Sequence, residues 1–146
     1  MDIDGLLVSA HLFLCNYKSF SAHRVDSNDV MDEGPVAIIS PFNFPLEIPV
    51  LQLMGSLFMG NKPVLKPAEK CSIVMEQFIR LLHAVGAPID DIDFLNSEGL
   101  VAEALVTNDC VKLTQFTGSS RVAEILAVKT RGKVKIEDAG KICLFL

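Results

Sequence analysis

The sequence predicts an α/β fold, a parallel sheet with helices on both faces. Three observations predict it. Short apolar, β-branched runs alternate with longer segments of helical period, in the order βαβαβαβαβ. Strands joined through helical crossovers run parallel. The chain has 146 residues, 50% hydrophobic and 21% charged, which is enough apolar side chain for the core of one ordinary domain.

The elements follow in order. Residues 1–33 read as an irregular lead-in, with a short helix at Asp4 to Leu14 and then a polar stretch, Asn16 to Glu33, of no clear period. The pattern starts at Gly34. Val36 to Ser40 is a buried strand, stopped by Pro41 to Pro45. Leu46 to Met59 is a mostly buried helix whose polar positions are Glu47 and Gln52; Pro49 falls near its first turn, where proline is tolerated, and Gly60-Asn61 closes it. Lys62 to Lys66 is the second strand, and Pro67 to Lys70 a turn. Ser72 is placed to cap a helix carrying Met75, Phe78, Ile79, Leu82 and Val85 on one face, ended by Gly86 with Pro88 just beyond. Asp93 to Asn96 is a third strand, Glu98 to Val106 a helix, Asn108-Asp109 a turn and Val111 to Phe116 a fourth strand. Thr117 to Ser120 reads as a tight polar turn opening a helix from about Arg121 to Lys129; Gly132 ends it and Lys133 to Glu137 is the fifth strand.

Composition excludes several function classes. The net charge of -5 offers no basic surface for nucleic acid and no polybasic membrane anchor. The apolar run Gly5 to Cys15 is interrupted by Ser9 and His11 and is too short to span a bilayer; it lacks the flanks of a secretory signal. Cys15, Cys71, Cys110 and Cys143 have neither zinc nor thioredoxin spacing and are expected as reduced thiols. His11, His23 and His83 show no metal-ligand spacing, so no metal is expected.

In open parallel sheets, ligands bind outside the carboxyl ends of the strands. Four turns fall there. In Pro41-Phe42-Asn43-Phe44, the Asn43 amide can donate to an oxyanion, with the two aromatic rings excluding water; an Asx turn is the plainer alternative. Lys66 and Glu69 can hold the two hydroxyls of a ribose, or form an ordinary surface pair. Thr117-Gly118-Ser119-Ser120 can bind phosphate through backbone N–H groups and a hydroxyl, Gly118 allowing close approach, or supply only an N-cap. Glu137, in Glu137-Asp138-Ala139-Gly140, can act as a general base, or simply end a strand.

Together these residues carry a resemblance. Residues 34–141, about three quarters of the chain, resemble the cofactor-binding half of the NAD(P)-dependent aldehyde dehydrogenase superfamily. The resemblance rests on Pro41-Phe42-Asn43-Phe44-Pro45, Val64-Leu65-Lys66-Pro67-Ala68-Glu69, Phe116-Thr117-Gly118-Ser119, and Ile136-Glu137 followed by Gly140-Lys141. It is finest to the plant-type 1-pyrroline-5-carboxylate dehydrogenases, through Pro41 to Pro49, Ser72 to Gln77, Phe116 to Glu124 and Glu137-Asp138-Ala139-Gly140. The resemblance implies a Rossmann-like sheet, and oxidation of glutamate semialdehyde to glutamate with reduction of NAD. It implies that Asn43 stabilises the oxyanion, that Lys66 and Glu69 hold the adenosine ribose, that Gly118 and Ser119 contact the pyrophosphate, and that Glu137 is the general base. Glu69 would repel a ribose phosphate, which favours NAD over NADP. A mitochondrial address and homo-oligomeric relatives are implied as well.

The family's nucleophilic cysteine lies some tens of residues beyond the glutamate. Cys143 follows Glu137 too closely and lacks the glycine-rich context, so it is not expected to be that nucleophile. The chain is accordingly expected to be the truncated cofactor half, without the catalytic domain or oligomerisation arm, with residues 142–146 as a tail outside the family pattern and inactive alone. A catalytically dead NAD-binding module and an interaction partner of full-length subunits remain alternative readings.

Overall fold

The computed structural model describes residues 35–138. The expected lead-in helix, the 142–146 tail, Cys15 and Cys143 lie outside the described residues. The elements are β1 (Pro35–Ile39), α1 (Glu47–Phe58), β2 (Lys62–Lys66), α2 (Ser72–Ala84), β3 (Asp93–Phe94), α3 (Gly99–Val106), β4 (Leu113–Gly118), α4 (Ser120–Lys129) and β5 (Val134–Asp138), with 3₁₀ turns at Glu69–Cys71 and Ile89–Asp91.

All four strand pairings are parallel, and the order across the sheet is β3-β2-β1-β4-β5. The chain winds outward from β1 to β3, then returns to the other side of β1 and winds outward again. With crossovers of one hand, that reversal puts α1 and α2 on one face and α3 and α4 on the other. The alternation of β1 serves both. Val36 and Ile38 pack with Leu53, Met54 and Leu57 of α1, Leu65 of β2, and Met75, Ile79 and Leu82 of α2. Ala37 and Ile39 point the other way, onto Ala102 and Val106 of α3, Phe116 of β4, and Ala123 and Leu126 of α4. A strand buried on both faces has to be apolar at every position, which explains the unbroken Val36 to Ile39 run.

The strands and helices expected within residues 35–138 are present, with shifts at their ends. Pro49 occupies the third position of α1 and is buried; its missing N–H is one of the groups a helix start leaves unpaired anyway. Gly60 and Gly86 adopt φ of 78° and 105°. They close α1 and α2 with paired backbone bonds, Asn61 N–H to Ser56 O with Gly60 N–H to Leu57 O, and Ala87 N–H to Leu82 O with Gly86 N–H to His83 O.

Three expectations are corrected. Ser72 does not cap α2: the 3₁₀ turn at Glu69–Cys71 runs straight into the helix, Cys71 takes the cap position, and the buried Ser72 hydroxyl donates to Glu69 O at 3.4 Å. The left-handed residue after α4 is first Arg131, at φ 53°, with Gly132 following at 84°. β4 begins later than Val111 because Asn108 Oδ1 accepts the Cys110 N–H and holds a turn there; it ends later because Thr117 and Gly118 pair with Glu137 and Asp138. Half of the expected Thr117–Ser120 turn is therefore strand.

Candidate functional site

One row of paired residues crosses the sheet near its carboxyl edge. Lys66 of β2 pairs with Ile39 of β1, Ile39 with Phe116 of β4, and Phe116 with Ile136 of β5. Every segment singled out in the sequence lies at or just past this row. The reversal in strand order falls between β1 and β4, so the Asn43 turn and the Gly118-Ser119 turn leave adjacent strands on either side of the switch point.

Lys66 is the most enclosed of these residues. Its side chain is 7% exposed, and its Nζ lies 3.8 Å from Oε2 of Glu69, whose side chain is 53% exposed. The lysine end of the pair is buried and the glutamate end stays in solvent. A hydrogen bond from its own backbone N–H, and then the Lys66 ammonium, hold the Glu69 carboxyl below the usual carboxylate range. Glu69 opens the 3₁₀ turn Glu69–Cys71, three residues after Lys66 ends β2.

Ser119 caps α4 by position, in extended conformation, but its side chain makes no capping bond. The hydroxyl is not spent on the helix. Gly118 has a packing reason for its missing side chain: a Cβ there would stand 2.7 Å from Cζ of the buried Phe116 ring. That ring, two residues back on the same strand face, fills the space. Packing against Phe116 is by itself a sufficient reason for glycine at this position.

Asn43 is exposed on the turn after β1. The expectation that Phe42 and Phe44 exclude water around it is overturned: they are 68% and 50% exposed, because no element among the described residues packs over that turn.

Glu137 is exposed and lines an open cleft of about 290 Å³ together with Phe44, Glu47, Ile48, Leu51 and Gln52. The end of β5 and the first two turns of α1 thus share one depression beside the Asn43 turn. Gln52 also reaches across the switch point, its Nε2 donating to Thr117 Oγ1 at 2.8 Å. Sequence reasoning did not assign Glu47 and Gln52 to the site. The signal was available: with the buried Ser56 they are the polar side chains of an otherwise apolar helix.

Neither described cysteine lines the cleft. Cys71 donates its thiol to Ala68 O, and burial, followed by the Glu69 charge, pushes that thiol up, away from the reactive thiolate. Both are free, as expected for reduced thiols. No helix among the described residues is long and apolar enough to cross a membrane.

Residues 26–143 match the model of the aldehyde dehydrogenase family. Over 107 residues, 73% of this chain, the sequence is 62% identical to a probable aldehyde dehydrogenase of Linum usitatissimum. Over the same length and share it is 58% identical to a mitochondrial delta-1-pyrroline-5-carboxylate dehydrogenase of Arabidopsis thaliana. The chain spans about a fifth of the length of these two relatives, 19% in each case. Among solved structures, proline utilization A of Bradyrhizobium japonicum superposes with a TM-score of 0.71 at 30% identity, covering 75% of this chain and 12% of that one.

Proposed function

The chain belongs to the aldehyde dehydrogenase family of oxidoreductases, and we propose that it forms the nucleotide-holding and water-activating part of an NAD-dependent oxidation of glutamate semialdehyde, the open form of 1-pyrroline-5-carboxylate, to glutamate. The observation that carries this reading is the row Lys66–Ile39–Phe116–Ile136, which sets the four site segments side by side along one sheet edge about the switch point. The likeness to the Arabidopsis enzyme supports the substrate and a mitochondrial address.

The residues present fit the dinucleotide. Lys66 and Glu69 form a donor–acceptor pair suited to the two hydroxyls of the adenosine ribose, and Glu69 carries the negative charge that disfavours a ribose phosphate. The Ser119 hydroxyl and the first N–H groups of α4 suit the pyrophosphate. Two polar atoms buried at this edge, Ser40 Oγ and Gln52 Oε1, have no partner among the described residues, as befits an edge that meets a polar ligand. When bound, NAD supplies the acceptor for the hydride lost by the substrate.

Two further roles fall to residues of this chain; the nucleophile is not among its described residues. Asn43, on the turn beside the cleft, donates its amide N–H to the oxyanion that develops on the attacked carbonyl. Glu137, in the cleft wall, would take a proton from the water that attacks an acyl group carried on a nucleophile from outside the described residues, the nucleophile leaving as the acid is released. The Gln52–Thr117 bond fixes the end of β4 against α1 and so holds the phosphate turn in register with the cleft.

Calorimetric titration of the purified chain with NAD tests the reading. Saturable binding is expected, weakened about ten-fold or more in Lys66→Ala, in keeping with loss of a charged hydrogen bond. A folded chain that binds no NAD overturns it.

A further inference from the structure

Three polar side chains line the cleft: Glu47, Gln52 and Glu137. Gln52 has committed its amide to Thr117, and Glu137 carries the proton transfer proposed above. Glu47 is left without a task. It is the first residue of α1, where a carboxylate gains a little from the helix N-terminus. That gain would be available anywhere around the helix, yet this side chain lies on the cleft wall. One turn further on stand Val50 and Leu51, so its own helix offers no cation, and none of the ion pairs among the described residues includes it. Beside it, Phe44, Ile48 and Leu51 make the wall apolar. Glu47 is exposed and without an ion-pair partner, so it offers a partly screened negative charge that favours a cation over an anion beside the apolar wall.

We propose that Glu47 determines specificity by holding a protonated amine of the ligand, so that the cleft selects amino-bearing aldehydes over analogues without the amine. This rests on the aldehyde reading of the cleft and adds to it the group that distinguishes the substrate. Glu137 contributes to the negative field but is kept for the proton.

Amide chemical-shift titration of the isotopically labelled chain tests it without requiring turnover. The probes are L-glutamate, 5-aminopentanoate and glutarate, the last having no amine. The two amines should shift the backbone amides of Glu47, Ile48 and Gln52 saturably, and bind at least about five-fold more tightly than glutarate, the size of one partly screened ion pair. Glu47→Gln should remove that preference and Glu47→Asp should keep part of it; the position is solvent-exposed, so both variants leave the core untouched. Equal binding of glutamate and glutarate, an unaltered preference in Glu47→Gln, or no binding of any probe overturns the proposal. An NAD titration of the same sample separates the two readings: NAD binding with an indifferent cleft leaves the nucleotide function standing and removes only the role of Glu47.

Discussion

Gly118 carries a packing demand that is independent of any ligand. The Phe116 ring lies where its Cβ would be, at 2.7 Å from Cζ and 3.3–3.4 Å from the two Cε atoms. The ring is buried in the cluster beneath α3 and α4 and has little freedom to move away. Gly118→Ala should therefore destabilise the chain by about 1–3 kcal/mol, as overpacking does. Phe116→Leu in the same chain should recover part of that loss, and urea denaturation of the two single variants and the double would show the coupling. Glu69 gives a prediction in pH. Its folded-state pKa is depressed, chiefly by its own backbone N–H and secondly by Lys66. The unfolded chain therefore binds more protons there than the folded one, so the stability it contributes is present at neutral pH and is lost as pH falls through the carboxylate range. Glu69→Gln should flatten that acid limb of the urea midpoint. Salt should flatten only the smaller share due to Lys66, since screening acts on the ion pair and leaves the local hydrogen bond.

At the scale of elements, α4 carries the clearest separation of stability from function. Ser119 stands at its N-cap without a side-chain capping bond. A capping serine is ordinarily worth about 1 kcal/mol; Ser119→Ala should cost under about half of that, while weakening NAD binding several-fold. A full capping loss with unchanged NAD affinity would make the residue structural. The other end of α4 shows where sequence reading stops. Gly86 and Gly60 were legible as helix ends because glycine alone takes their φ without strain. Arg131 was not, since nothing in an arginine announces a left-handed backbone; the position is fixed by the Schellman bonds Gly132 N–H to Ala127 O and Arg131 N–H to Val128 O. Arg131→Gly should accordingly be neutral or stabilising by up to about 1 kcal/mol, relief of strain set against added freedom in the unfolded chain. The same logic sorts the site. The Lys66, Glu69, Ser119 and Glu137 positions were legible because strand ends and turns are local. The cleft was not, because Glu47 and Glu137 lie ninety residues apart and are brought together only by β5 pairing onto β4 and α1 leaving β1. The exposure of Phe42 and Phe44 was missed for a related reason: an aromatic pair suggests burial, but burial needs a covering element.

For the molecule as a whole, β1 is the shared wall of two cores, one with α1 and α2 and one with α3 and α4. The edge proposed to hold the nucleotide runs across the same wall, from Lys66 on β2 to Ser119 beyond β4. A dinucleotide bound along it touches segments from both halves of the sheet and should stabilise the folded chain as a unit. By mass action, NAD at about a hundred times its dissociation constant adds roughly 2.7 kcal/mol. For a chain of this length each kcal/mol raises the melting temperature by about 2–4 °C, so a shift of about 5–10 °C is expected. AMP, which offers only the adenosine side, should give a shift that Lys66→Ala abolishes and Ser119→Ala leaves intact. The NAD shift should shrink in both variants, because the pyrophosphate carries the ligand across the switch point. If Ser119→Ala lowers the AMP and NAD shifts alike, Ser119 does not mark the pyrophosphate end and the order of subsites along the edge is wrong. If NAD produces no shift in a cooperatively melting chain, the row of segments is a feature of the fold without the ligand it is arranged to hold.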